Sequence, residues 1–196
     1  NIERIYRRSF TANWYIYNIR TKHLAKLSDY GPQQSPVWSP DGNQIAFVRE
    51  NNIFLIKLLY DNAESQVTKD GKRNEIINGV PDWVNEEEFA LSTSLCFTAD
   101  GSQICWIKYD ESNVTTYDMQ MYKGMKPEYV QYSEYPGAYS YKYPKAGTNN
   151  AKVSAWSFDI KSKKAVQLQV PVDADGYICR LYPTEDPLKV LYFTLN

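Results

Sequence analysis

Residues that carry reactions are scarce in this sequence. It has one histidine, His23, in 196 residues. Any Ser-His-Asp or Cys-His nucleophile inside the chain would have to use that imidazole. His23 stands in the Lys-flanked turn Arg20-Thr21-Lys22-His23, where nothing nearby supports catalysis, and it reads as a surface residue. Peptide hydrolysis by this chain alone is thereby excluded. The three cysteines, Cys96, Cys105 and Cys179, lack the paired spacing of a zinc site. Asp70-Gly71-Lys72 lacks the upstream glycine of a phosphate loop. No apolar run approaches the roughly 18 residues that span a bilayer. Lys plus Arg number 22 against 23 Asp plus Glu, so no global field recruits nucleic acid or an anionic membrane. No cofactor or metal is expected. No signal peptide is visible, and Asn1 is not a natural start, so the sequence is expected to be a piece of a longer chain.

Aromatic residues are plentiful, with 17 Tyr and 5 Trp, and favour strands over helices. Phe10 to Ile19 alternates like a strand, Arg20 to His23 turns it, and Leu24 to Leu27 returns. Val37 to Val48 reads as strand, Pro40-Asp41-Gly42 turn, strand: Pro presets φ, Asp bonds back to the backbone, and Gly accepts positive φ. Asn52 to Ile56 and Ser65 to Thr68 complete four antiparallel strands, one propeller blade. The hairpin recurs from Phe97 to Trp106, offset by 59 residues from Trp38, whereas a plain propeller repeat takes roughly 40–50. The excess lies at Glu86-Glu87-Glu88, so the acidic stretch reads as an insertion into a blade. Trp156 to Leu168 repeats the first strand-turn-strand. Cys96 and Cys105 flank the Asp100-Gly101 turn symmetrically; two buried thiols are favoured over a disulfide. The tyrosines from Met119 to Tyr143, among them Tyr129, Tyr132, Tyr135, Tyr139 and Tyr141, read as two amphipathic strands about a Pro136-Gly137 turn, or as a contact surface.

The fold class is therefore all-β: a partial β-propeller of about three to four blades of four-stranded antiparallel sheet, with a short acidic insertion. The 1–196 stretch is expected to be a portion of one propeller domain. Its units are expected at roughly 2–28, 35–69, 76–170 (with the insertion) and 177–196. A propeller closes with typically 4–8 blades, so further blades are expected as partners.

Adjacent carboxylates repel unless solvent or a cation relieves them, so the acidic run is either a solvated surface or a receptor for something positive. Asp82-Trp83-Val84-Asn85-Glu86-Glu87-Glu88 resembles the Asp-Trp-x-Tyr-Glu-Glu-Glu motif of the dipeptidyl peptidase IV family. Tyr6-Arg7-Arg8-Ser9-Phe10-Thr11-Ala12 is similar to that family's Arg-His-Ser-Tyr-Thr-Ala segment, and Tyr143-Pro144-Lys145-Ala146-Gly147 to its Tyr-Pro-Lys-Ala-Gly run. The resemblance implies the N-terminal propeller of a serine exopeptidase that releases X-Pro or X-Ala dipeptides. It implies that Glu87 and Glu88 bind the substrate's free amino terminus and that Arg7 contacts the substrate. Glu86, Asp82 and Trp83 would support them, Glu86 being held by a nearby cation. Asn85 departs from the motif's Tyr, and a slip in register would bring Glu86 into the pair. Further implied are a C-terminal α/β-hydrolase domain carrying the catalytic serine, a bacterial source, a periplasmic, envelope or extracellular location, and compatibility with a homodimer. Alternatives from other classes are a non-catalytic propeller used as an interaction platform and an oligopeptidase propeller that filters substrate by size.

Overall fold

The computed structural model describes residues 2–60, 62–122 and 134–196. Strands β1 (Ile2–Arg4) and β2 (Phe10–Ala12) form an antiparallel pair, with residues 5–9 at its tip. Strands β3 (Tyr15–Asn18) and β4 (His23–Lys26) form the next. The single strand expected from Phe10 to Ile19 is thus split at Asn13-Trp14. The cause is Gln33, which is fully buried. Its backbone exchanges both hydrogen bonds with Ala12, its side-chain oxygen accepts the Trp14 amide at 3.0 Å, and its carbonyl accepts the Trp14 indole N–H. His23 opens β4 rather than lying in the turn, and it is exposed.

Strands β5 (Gln34–Trp38), β6 (Gln44–Arg49), β7 (Asn52–Lys57) and β8 (Ala63–Gln66) pair in sequential order as a four-stranded antiparallel sheet. Ile45, Ala46, Phe47 and Val48 in β6 are all buried, so this middle strand is covered on both faces. The turn before β6 works as its residues require. Gly42 sits at φ 70° and donates to the Ser39 carbonyl, while the Asp41 carboxylate accepts from the Ser39 hydroxyl at 2.6 Å.

A five-stranded sheet takes in β9 (Ile76–Asn78), β10 (Leu95–Phe97), β11 (Gln103–Asp110), β14 (Lys152–Asp159) and β15 (Lys164–Leu168). Between β9 and β10 lies helix α1 (Trp83–Phe89). Between β11 and β14 a separate hairpin projects, β12 (Thr116–Met121) with β13 (Gly137–Lys142). The Thr98–Gly101 turn repeats the earlier one: Gly101 at φ 70° donates to the Thr98 carbonyl, and Asp100 accepts from the Thr98 hydroxyl. Cys96 and Cys105 stand opposite each other in the register as free, buried thiols. Gly137 begins β13 opposite Met121, so Pro136-Gly137 is not the turn of that hairpin. Tyr129 and Tyr132 lie outside the described residues. Strands β16 (Tyr177–Pro183) and β17 (Val190–Leu195) form a final hairpin with an irregularity between Ile178 and Arg180.

The core joins the four-stranded and five-stranded sheets. Val48, Ile53 and Leu55 meet Ile77, Val80, Leu95, Trp106 and Ile107 there. Burying each of these side chains contributes about 1.5–3 kcal/mol. Trp106 also donates its indole N–H to Asn78 at 3.1 Å, so the ring is buried without an orphaned donor. The result is an all-β partial propeller of several antiparallel sheets with one short helix.

β9 and β10 pair with the two halves of one strand. Ile76–Asn78 face Lys108–Asp110, and Leu95–Phe97 face Ile104–Trp106. Between them Gly79 donates to the Ile107 carbonyl, Ser94 accepts from Ile107, and Ser94 donates to Gly79 at 2.8 Å. The chain therefore leaves the sheet after Gly79 and re-enters at Ser94 in the same strand position. The acidic segment is an insertion into the edge of this sheet, closed at its base by those three bonds.

Candidate functional site

Inside the insertion, Asp82 starts the helix. Its backbone is extended (ψ 179°) and its carboxylate accepts the Asn85 amide at 2.9 Å and the Asn85 side-chain N–H at 2.8 Å. That is N-cap chemistry, satisfying a donor that the first helical turn leaves free. A seven-residue helix has no independent stability, and packing holds this one. The Trp83 ring lies 4.3 Å from that of Tyr143, and Phe89 meets Tyr177 edge-on at 5.4 Å. At about 100° of rotation per residue, Glu86, Glu87 and Glu88 point three different ways.

Glu86 points inward and is 1% exposed. One of its carboxylate oxygens accepts the backbone N–H groups of Arg8, at 2.6 Å, and Ser9, at 2.9 Å. Its partners are thus backbone amides of the β1–β2 loop, where a cation had been expected. Glu87 faces the same loop, and the Arg7 guanidinium grips it with a fork of two contacts, Nε to Oε2 and Nη2 to Oε1, both 2.9 Å. Glu88 is exposed, and its side chain makes no hydrogen bond or ion pair among the described residues. The structure therefore brings Arg7, Glu86 and Glu87 together and sets Glu88 beside them on the open face.

The charges of this group decide what it can hold. The fork-shaped pair is oriented but largely solvated, with the Arg7 side chain 72% exposed; such pairs contribute about 0–1 kcal/mol. Arg7 offsets one of the two outer carboxylates, leaving Glu87, Glu88 and Arg7 with a single net negative charge. Among the described residues no cluster of three or more His, Cys, Asp and Glu is arranged to hold a metal.

A second set of groups lies behind the loop. Asp82 and Glu111 are both buried. Burial pushes the Asp82 carboxyl up, against the two bonds from Asn85 that pull it down. Burial, with the Asp82 charge next, pushes Glu111 up to about 7, opposed by Lys142. Burial also raises the Tyr6 phenol, with the Glu111 charge adding to it. Tyr6 and Glu111 line a cavity of about 1010 Å³ that includes Ser9, Arg49 and Tyr139 but none of Arg7, Glu87 and Glu88. Sequence reasoning missed Glu111, which reads there as an ordinary acid after a strand. It also missed the Arg8 and Ser9 amides, whose role no side chain announces.

An antiparallel partial propeller with an acidic helix spliced into one sheet edge, facing an arginine loop, defines the class: a partial β-propeller with an acidic edge insertion. The family described as "Dipeptidyl peptidase IV (DPP IV) N-terminal region" matches residues 1–196. The chain belongs to that family. It is 36% identical over 183 residues to a protein of Emericella nidulans named "Probable dipeptidyl-aminopeptidase B", covering 89% of this chain and 20% of that protein. It is 31% identical over 179 residues to the dipeptidyl-aminopeptidase B of Aspergillus niger, covering 87% and 20%. The crystal structure of Porphyromonas gingivalis dipeptidyl peptidase 4 superposes with a TM-score of 0.92 at 39% identity, over 100% of this chain and 27% of that one. The chain thus spans about a fifth of the length of the curated relatives it matches.

Proposed function

We propose that this chain is the part of a serine exopeptidase that selects peptides by their free amino terminus. The carrying observation is the Arg7–Glu87 fork with the uncommitted Glu88 next to it. A peptide α-amino group has a pKa near 7.7–8.0 and is mostly protonated at pH 7. Glu87 and Glu88 accept hydrogen bonds from that ammonium, while the outward N–H groups of Arg7 reach a substrate carbonyl. An acylated amine is neutral and leaves both acids without their partner, which discriminates against N-blocked and internal sequences. Fixing the amine at a set distance from a serine on a hydrolase domain makes the enzyme count two residues, releasing X-Pro or X-Ala dipeptides. Further blades and that α/β-hydrolase domain complete the protein, and a periplasmic, envelope or extracellular location follows from the same reading.

The test is steady-state kinetics of the full-length protein on a free-amine Pro-containing substrate and its N-acetyl twin. Each charge-assisted bond contributes about 1.5–3 kcal/mol, so Glu87→Gln or Glu88→Gln is expected to lower kcat/KM by roughly 10- to 150-fold. Wild-type turnover by both variants, or equal use of the acetylated substrate, would overturn the assignment and leave an interaction platform as the better reading.

A further inference from the structure

We propose that Glu86 is a positioning residue for this site, acting through the backbone of Arg8 and Ser9 to set where Arg7 presents its guanidinium. The inference rests on the amine-binding reading above and adds to it the element that makes Arg7 available.

Tyr6, whose ring meets that of Tyr141 at 5.9 Å, anchors the loop from behind, but little among the described residues fixes it against the helix that carries Glu87. The strands that carry its loop are three residues each, and every residue of β1 is exposed. Within the loop, Ile5 donates to the Ser9 carbonyl, Tyr6 to the Ser9 hydroxyl, and the Arg4 side chain to the Arg7 carbonyl at 3.3 Å. These bonds close the loop on itself and do not tie it to the helix. The Arg7 side chain is mostly in solvent, so packing does not orient it. Glu86 supplies the backbone tie to the helix: a carboxylate 1% exposed, with one oxygen shared by two successive amides 77 and 78 residues away in sequence. Because Glu86 and Glu87 are consecutive on one helix, the same element that holds the loop backbone presents the partner of Arg7. The loop cannot shift along the helix without breaking both contacts together. The remaining Glu86 oxygen is buried without a hydrogen-bond partner among the described residues. The side chain thus carries a cost that a purely apolar residue would avoid, as expected where the two amide bonds are what it is kept for.

A double-mutant cycle in the full-length protein, read as kcat/KM on the free-amine substrate, separates positioning from general support. Glu86→Ala is expected to lose about 10-fold or more, carried chiefly by KM. Glu86→Gln, whose amide oxygen still accepts both N–H groups, should stay within about 3-fold of wild type. In an Arg7→Ala background, Glu86→Ala should cost nothing further. Glu86→Asp keeps the charge but withdraws it by one methylene, and it carries the same cycle if Glu86→Ala does not fold. Wild-type kinetics for Glu86→Ala, losses that multiply in the double variant, or a Glu86→Gln as damaged as Glu86→Ala would each overturn the role of Glu86. An Arg7→Ala variant with wild-type kinetics would instead overturn the site reading itself, and this inference with it.

Discussion

Replacing Glu111 by Gln should stabilise the fold, and by an amount that depends on pH. Glu111 is 3% exposed at the end of β11, and its carboxyl is raised from an ordinary 4.5 to about 7, by burial first and then by the charge of Asp82. Asp110 adds to the rise, Lys142 opposes it, and the Tyr6 phenol stands in the same field. Below pH 4.5 the acid is protonated in both folded and unfolded chains, and its contribution is fully present. As pH climbs from there, the unfolded chain ionises first and stability drains away. Above about 7 both states are charged and the loss is complete. At 1.36 kcal/mol per tenfold change in proton affinity, the rise amounts to about 3 kcal/mol. Glutamine keeps the shape and never titrates, so the advantage of Glu111→Gln should be about 2–3 kcal/mol larger at pH 8 than at pH 5. For a chain of this size that is roughly 5–10 °C in unfolding midpoint. The assay is thermal unfolding of wild type and variant at both pH values, with a carbon-13 NMR titration of the Glu111 carboxyl. A carboxyl titrating below pH 5, or an equal advantage at the two pH values, would refute the reasoning.

Two further outcomes follow from the insertion and the sheet beside it. Gly79 lies at φ 78°, and a Cβ there would come within 2.9 Å of Leu95 Cδ2 and 3.1 Å of Ile53. Gly79→Ala should therefore lower stability by about 1–3 kcal/mol, measurable as a lower denaturant midpoint; an unchanged midpoint would show that the splice point tolerates a side chain. Burial raises the Cys96 thiol to about 12 and moves Cys105 the same way. Native alkylation at pH 8 should therefore label Cys179 well before either of them, as mass spectrometry of the modified peptides would reveal. Rapid labelling of Cys96 or Cys105 would contradict their burial.

Much of the fold is legible from local chemistry. Pro40-Asp41-Gly42 and Ala99-Asp100-Gly101 specify their hairpins because a turn depends on a few consecutive residues, and the same carboxylate and glycine contacts recur in both. The 59-residue offset between them revealed an insertion because extra chain has to go somewhere outside the repeating sheet. The motif residues 82–88, Arg7 and the Tyr143 run carried the family resemblance for the same reason, being contiguous in sequence. The helix was not legible. Trp83, Val84 and Asn85 are indifferent helix formers, and the seven residues hold through the Asp82 cap, the contacts of Glu86 and Glu87 to the β1–β2 loop, and packing against Tyr143 and Tyr177.

The division of labour among three identical glutamates lay further out of reach. Sequence alone determined that three acids stand together and that an arginine segment of the matching kind exists near the start of the chain. Tertiary structure decided that Glu86 is buried on the Arg8 and Ser9 amides, that Glu87 takes the Arg7 fork and that Glu88 stays open. It also decided that Glu111, an unremarked acid after a strand, is covered and driven up in pKa. The reason is the range of the forces involved. Turn geometry is set within four residues, whereas desolvation and charge pairing depend on whichever distant segment the fold lays across a side chain, here a loop nearly 80 residues away.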